Sequence, residues 1–141
     1  MGRPAFLTTE MQLFPAPAHP GSVVIVDDDP VVLRSLAHLL SGSPYIIELC
    51  TTALEAIEHV TAGHVRVVVS DISMPEMSGI ELLRAIHLNV PDLPVILVTG
   101  QPSMETTNQA AEYGAFRYLA KPVNPREFVT AVELAAQLSR Q

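Results

Sequence analysis

The sequence predicts an α/β fold in which a doubly wound, five-stranded parallel sheet carries helices on both faces. Three observations predict it. Five short runs rich in β-branched and aromatic residues recur along the chain, at 23–26, 45–49, 65–69, 95–98 and 116–120. Each is followed by a segment with helical hydrophobic spacing, and these segments open on capping residues. Strands that alternate with helices in this way form parallel sheets, because each crossover lays a helix on the sheet.

The elements follow in order. Run 23–26 is wholly apolar, as a central strand should be, and Asp29-Pro30 then starts a helix with an N-cap and an N1 proline. Val32, Leu36, Leu39 and Leu40 share one face of it. Run 45–49 leads to Thr52, which sits three residues before Glu55 in a capping-box pattern. Run 65–69 is a second central strand, interrupted only by Arg66, and Ser78 and Glu81 repeat the box before Leu82, Leu83, Ile86 and Val90. After run 95–98, Ser103 caps the weakest helix, whose Met104, Thr107, Ala110 and Ala111 give little apolar area. Run 116–120 alternates as an edge strand would, and Asn124-Pro125 and Glu127 open a last helix carrying Phe128, Val129, Val132 and Ala136.

The chain has 141 residues and mass 15.2 kDa, the size of one domain. Residues 1–21 hold four of the 12 prolines without periodicity and read as a flexible leader, leaving 22–141 as the folded domain. Apolar residues make up 48% and mean hydropathy is +0.30, which excludes a disordered chain. The formal charge of -7 argues against direct binding to nucleic acid or anionic membrane. No apolar run approaches the ~20 residues of a membrane helix, the prolines break any signal peptide, and a cytoplasmic location is expected. Cys50 is the sole cysteine and reads as inert core at the end of a buried strand.

The placement of charge says more than its total. Asp27, Asp28 and Asp29 follow the first run and Asp71 the third; the single lysine, Lys121, follows the fifth, and Thr99 the fourth. Ligands of open α/β sheets bind beyond the carboxyl ends of the strands, so these residues converge on one rim. Carboxylates ~4 Å apart repel by roughly 4 kcal/mol per pair at an effective dielectric of ~20, and a hard cation such as Mg²⁺ offsets that. A lysine and a hydroxyl beside them suit a tetrahedral oxyanion, which together reads as phosphoryl-transfer chemistry. The five histidines lack metal-ligand spacing and read as surface or helix residues, and Met74, Met77 and Met104 as turn and packing residues.

The motifs Val-Ile-Val-Asp27-Asp28-Asp29-Pro, Ser70-Asp71-Ile-Ser-Met74-Pro75-Glu-Met77-Ser-Gly79, Val-Thr99-Gly100 and Gly114-Ala-Phe-Arg-Tyr118-Leu-Ala-Lys121-Pro122 resemble those of response-regulator receiver domains. The resemblance covers everything but the leader and implies a flavodoxin-like strand order 2-1-3-4-5. It implies that Asp71 accepts a phosphoryl group from a histidine kinase or histidine phosphotransfer protein. Asp28 would bind Mg²⁺ (or Mn²⁺) directly, Asp27 through water, and Ser73 through its backbone carbonyl, with Asp71 completing the set. Lys121 would pair with Asp71 and then with a phosphoryl oxygen. Thr99 would swing to another, and Tyr118 would turn inward behind it. Ser73 and Gln101 would flank the path of attacking water, and Gly100 would leave room for the donor. A homodimer through the fourth helix, fifth strand and fifth helix is a further implication, as is an output domain outside this chain. Residues 112–123 resemble receivers joined to cyclic-di-GMP phosphodiesterases.

Two other readings stand beside this one. Asp27-Asp28-Asp29-Pro30-Val31 fits the D-x-D-x-[TV] signature of haloacid-dehalogenase-type phosphatases, with Thr99 and Lys121 as later motifs. That reading leaves the Asp71 motif unexplained and lacks a second acidic pair after the lysine. A phosphate-independent pseudo-receiver is the third, although every side chain that phosphorylation needs is present.

Overall fold

The computed structural model describes residues 20–139, so most of the expected leader, His19 included, lies outside the described residues. The order is β1 (Ser22–Val26), α1 (Pro30–Leu39), β2 (Ile46–Cys50), α2 (Ala53–Ala62), β3 (Val65–Asp71), α3 (Gly79–Asn89), β4 (Val95–Thr99), α4 (Met104–Glu112), β5 (Arg117–Ala120) and α5 (Pro125–Leu138). All four strand pairings are parallel, and the sheet runs β2-β1-β3-β4-β5. The order reverses between β1 and β3, which opens the crevice where doubly wound sheets bind ligands.

Side chains of each central strand alternate between two cores, as the two-residue strand period requires. Val23, Ile25, Val67, Val69, Ile96 and Val98 face α1 and α5, where they meet Leu33, Leu36, Leu40, Phe128 and Val132. Val24, Val26, Val68, Val95 and Leu97 face α2, α3 and α4, meeting Ala56, Leu82, Leu83, Ile86 and Ala110. Both faces of β1 and β4 are therefore buried along their whole length.

The caps form where the sequence places them. Asp29 accepts from Val31 N–H, Thr52 from Glu55, Ser103 from Thr106 and Asn124 from Glu127. Ser78 and Glu81 complete a reciprocal capping box.

Several details differ from expectation. β3 runs on to Asp71, which pairs with Val98, and β4 runs on to Thr99, which pairs with Ala120. Ladder pairing carries polar residues into a strand that an apolar count ends too soon. β2 is an edge strand with Ile46 and Leu49 exposed, so Cys50 is buried at the end of a strand that is not. On α1 the buried residues are Leu33 and Leu36, with Val32 and Leu39 only half-buried. Met104 is 81% exposed rather than packed.

Phe128 is wholly buried between α5 and the sheet. Phe128→Ala should cost about 3–5 kcal/mol in urea denaturation, whereas Met104→Ala should change stability by less than about 0.5 kcal/mol.

Candidate functional site

Four elements deliver the site to one rim. Asp27 is the first residue past β1, where its N–H donates to Cys50 O at 3.1 Å. Asp71 ends β3, and the next residue, Ile72, still donates to Val98 O at 3.1 Å, so the backbone on both sides of Asp71 is held by the ladder. Lys121 follows β5 with its N–H on Thr99 O at 2.8 Å, and the Lys121-Pro122 peptide is cis.

Asp27, Asp28 and Asp71 offer carboxylate oxygens that all lie within 4.8 Å of one another. Asp27 and Asp71 are buried and Asp28 is exposed. Both Asp27 oxygens are engaged, one accepting from Asp29 N–H at 2.9 Å and the other from Lys121 Nζ at 2.8 Å. Lys121 Nζ also stands 3.2 Å from Asp71 Oδ1. The expected Lys121–Asp71 pair is thus present, but the nearer partner is Asp27, the more deeply buried carboxylate. Three carboxylates and one ammonium leave two negative charges, which a divalent ion would balance. Exposed Asp28 and the oxygen-only donor set fit a hard ion such as Mg²⁺.

The ionisation of the pair follows from this crowding. Burial raises the Asp71 carboxyl above its usual range, the charges of Asp27 and Asp28 raise it further, and Lys121 pulls against them without prevailing. Burial acts to lower the Lys121 ammonium, but its hydrogen bond to Asp27 and the charges of Asp71 and Asp27 outweigh this and raise it. Asp71 is therefore a carboxylate whose charged form is held at high energy.

Thr99 is 2% exposed, and its hydroxyl oxygen accepts from Gln101 N–H at 3.0 Å, leaving its own proton to donate elsewhere. Tyr118 is half-buried, and its hydroxyl reaches the start of α4, 2.7 Å from Thr106 Oγ1 and 3.3 Å from Ser103 N. Those two partners were not legible beforehand; Ser103 carried only the signal of a cap. Ser73 is exposed in the turn after β3. Asp29 does not join the cluster, because its side chain caps α1. Cys50 is inert core, with burial above all, and then Glu55, Glu48 and Glu58, pushing its thiol up to about 12.

Gly79 has a role that its place in the motif did not explain. Its N–H donates to Ile72 O at 2.9 Å, and a Cβ there would press on the backbone carbonyl of Asp71. The first turn of α3 thus seats directly on the residue bearing the buried carboxylate.

The sequence profile of the response regulator receiver domain matches residues 23–133. The chain belongs to that family. It is 34% identical over 119 residues to the phosphoglycerate transport system transcriptional regulatory protein PgtA of Salmonella typhimurium, covering 84% of this chain and 29% of that protein. It is 36% identical over 115 residues to the DNA-binding transcriptional regulator NtrC of Escherichia coli, covering 82% of this chain and 24% of that protein. The chain therefore spans less than a third of the curated relatives it matches. Among solved structures it resembles the signal receiver domain of an HD domain-containing protein from Pseudomonas fluorescens, with TM-score 0.79, 32% identity, and coverage of 84% and 96% of the two chains. A CheY-like receiver domain from Methanospirillum hungatei gives TM-score 0.78 at 32% identity, covering 84% and 95%. The receiver assignment, the flavodoxin-like sheet and the strand order expected from sequence are borne out, and the phosphatase and pseudo-receiver readings are not favoured. Receivers are phospho-acceptors that work with a histidine kinase or phosphotransfer partner and hold Mg²⁺ in an acidic pocket. Among the described residues no helix is long and apolar enough to cross a membrane.

Three outcomes are expected. Because the folded state raises the Asp71 pKa, folding favours its protonated form. That contribution is complete below the ordinary carboxylate range and is lost as pH rises through the raised folded value. In EDTA at neutral pH, Asp71→Asn should therefore melt a few degrees above the native chain, and the gain should vanish at acid pH and shrink with Mg²⁺. Gly79→Ala should destabilise by about 1–3 kcal/mol despite the helix propensity of alanine. Gly42→Ala, with open space around it, should stay within about 0.5 kcal/mol.

Proposed function

We propose that Asp71 is the phospho-acceptor of this receiver domain, with Asp27, Asp28, Lys121 and Thr99 as its working partners. The observation that carries the reading is the meeting of three strand-end carboxylates within 4.8 Å, two of them joined by one lysine. One Asp71 oxygen attacks the phosphorus of a phosphohistidine. The P–O bond forms as the P–N bond breaks, and the leaving electron pair returns to the imidazole of the donor. Asp28, Asp71, the Ser73 carbonyl and, through water, Asp27 would hold Mg²⁺, or Mn²⁺ in its place. Such an ion lowers the charge repulsion between the carboxylates and the phosphoryl oxygens.

Lys121 then transfers its second contact from Asp71 to a phosphoryl oxygen while keeping Asp27. Thr99 donates its free proton to another phosphoryl oxygen, and Tyr118 turns inward to fill the space. Gly100 is exposed and leaves the approach open, while Ser73 and Gln101 flank the path of attacking water. The donor, a histidine kinase or histidine phosphotransfer protein, has an apolar groove of about 470 Å³ beside Lys121, lined by Val31, Leu36, Leu39 and Val123 among others.

The domain turns over no substrate beyond its own phosphoryl group, and its signal passes to an output domain outside this chain or to a partner. The two curated relatives named above are transcriptional regulators, which favours that kind of output over a cyclic-di-GMP phosphodiesterase, and a cytoplasmic location suits a domain that works with a histidine kinase. Residues 22–141 act as the receiver, with 1–21 as a leader. Exposed Met104, Leu134 and Leu138 support a homodimer through α4, β5 and α5.

The test is labelling from acetyl phosphate with Mg²⁺. The native chain should gain one base-labile, acid-stable phosphoryl group and Asp71→Asn none; equal labelling of both refutes the assignment. Asp28→Ala should weaken Mg²⁺ binding by more than about tenfold, and Asp29→Ala by less than about twofold, because Asp29 only caps a helix.

A further inference from the structure

The helix α4 buries only Ala110 and is secured chiefly at its ends, by two unlike fastenings. At the N-terminus the Tyr118 hydroxyl bonds Thr106 Oγ1 at 2.7 Å and accepts from Ser103 N–H at 3.3 Å. Ser103 Oγ in turn accepts from Thr106 N–H at 3.0 Å and lies 2.9 Å from Thr106 Oγ1. This end is a small polar knot tied around a single phenol. Rotation of Tyr118 about its χ1 carries that oxygen away by several ångströms, which breaks both bonds to the phenol and leaves only the Ser103–Thr106 cap at this end.

The C-terminal fastening is independent of Tyr118. The Arg84 guanidinium stacks 4.5 Å from the centroid of the Tyr113 ring. His87 bonds Leu93 O through Nε2 at 2.8 Å, and its Nδ1 edge lies 3.3 Å from Tyr113 O. Tyr113 itself donates to Gln109 O at 2.9 Å, and Ala115 to Ala110 O at 2.8 Å, which closes the last turn. Gly114 then reverses the chain at φ 81, with the His87 ring next to the place a side chain would occupy. Both clamp residues come from α3, the helix seated on the Asp71 backbone through Gly79.

We propose that Tyr113, held by Arg84 on its ring and backed by the His87 ring packed against Gly114, is the pivot of α4. The helix swings from its N-terminus when Tyr118 lets go, while its C-terminal turn stays on α3. Arg84 and His87 are positioning residues, since they touch neither the acidic cluster nor Thr99. The alternative is a helix that loosens uniformly. The inference relies on the phosphorylation reading for the natural trigger only, because the same release can be imposed on the unphosphorylated chain.

Amide hydrogen exchange on the full 141-residue chain, without phosphodonor, tests it. Thr106→Val and Tyr118→Phe should each speed exchange at Thr107 and Asn108 by about tenfold or more, and change Tyr113 and Ala115 by less than about twofold. Arg84→Ala combined with His87→Gln should do the reverse, speeding Tyr113 and Ala115 by about tenfold. Rates are taken relative to Ile96 and Val98 in β4, which report global opening. Uniform acceleration along α4 in the Tyr118 variant, or an unchanged Tyr113 amide in the clamp variant, overturns the pivot. Beryllofluoride with Mg²⁺ should reproduce the N-terminal pattern in the native chain. If it has no effect while the variants behave as stated, the phosphorylation reading fails and the pivot stands.

Discussion

One ammonium lying between two buried carboxylates organises this molecule. Lys121 sits 2.8 Å from Asp27 and 3.2 Å from Asp71, so it ties the end of β5 to the ends of β1 and β3. Asp27 and Lys121 are 94 residues apart in sequence, and only the crossover geometry of a parallel sheet brings them together. The arrangement carries excess negative charge, because Asp27, Asp28 and Asp71 face a single lysine. A buried ion pair of this kind is weak evidence for stability and stronger evidence for a site that takes up cations or anions.

The two faces of the sheet are built to different standards. On one, α1 and α5 enclose Phe128, Leu33, Leu36 and Leu40 with little left exposed. On the other, α3 is well anchored by Leu82, Leu83 and Ile86, whereas α4 contributes Ala110 alone. The apolar area that a helix buries sets how far it can move without global cost, and by that measure α4 is the least anchored helix, α1 and α5 being among the more firmly held.

Much of this was legible in the sequence because the cues were local. The capping residues, the alternation of runs and the acids at strand ends all lie within a few positions of what they determine. The unread features are the long-range ones. Nothing near Lys121 says that Asp27 rather than Asp71 is its closer partner, since that depends on relative depth across three strands. Nothing near Tyr118 names Thr106, which reaches it from the neighbouring helix. Strand ends were placed early at 69 and 98 because Asp71 and Thr99 are polar, yet ladder pairing holds both. Gly79 was visible as a motif residue, but the carbonyl that excludes its side chain belongs to a strand eight positions earlier.

Cys50 closes β2 with its carbonyl on the Asp27 amide, and its thiol is pushed up to about 12. A sulfur so far from ionisation is almost never a thiolate at neutral pH, and a 1% exposed one is out of reach of alkylating reagents as well. In a chain without tryptophan, that silence becomes an instrument. Modification by a thiol reagent registers only molecules in which the core beneath α2 has opened, so its rate counts excursions next to the strand end that holds Asp27.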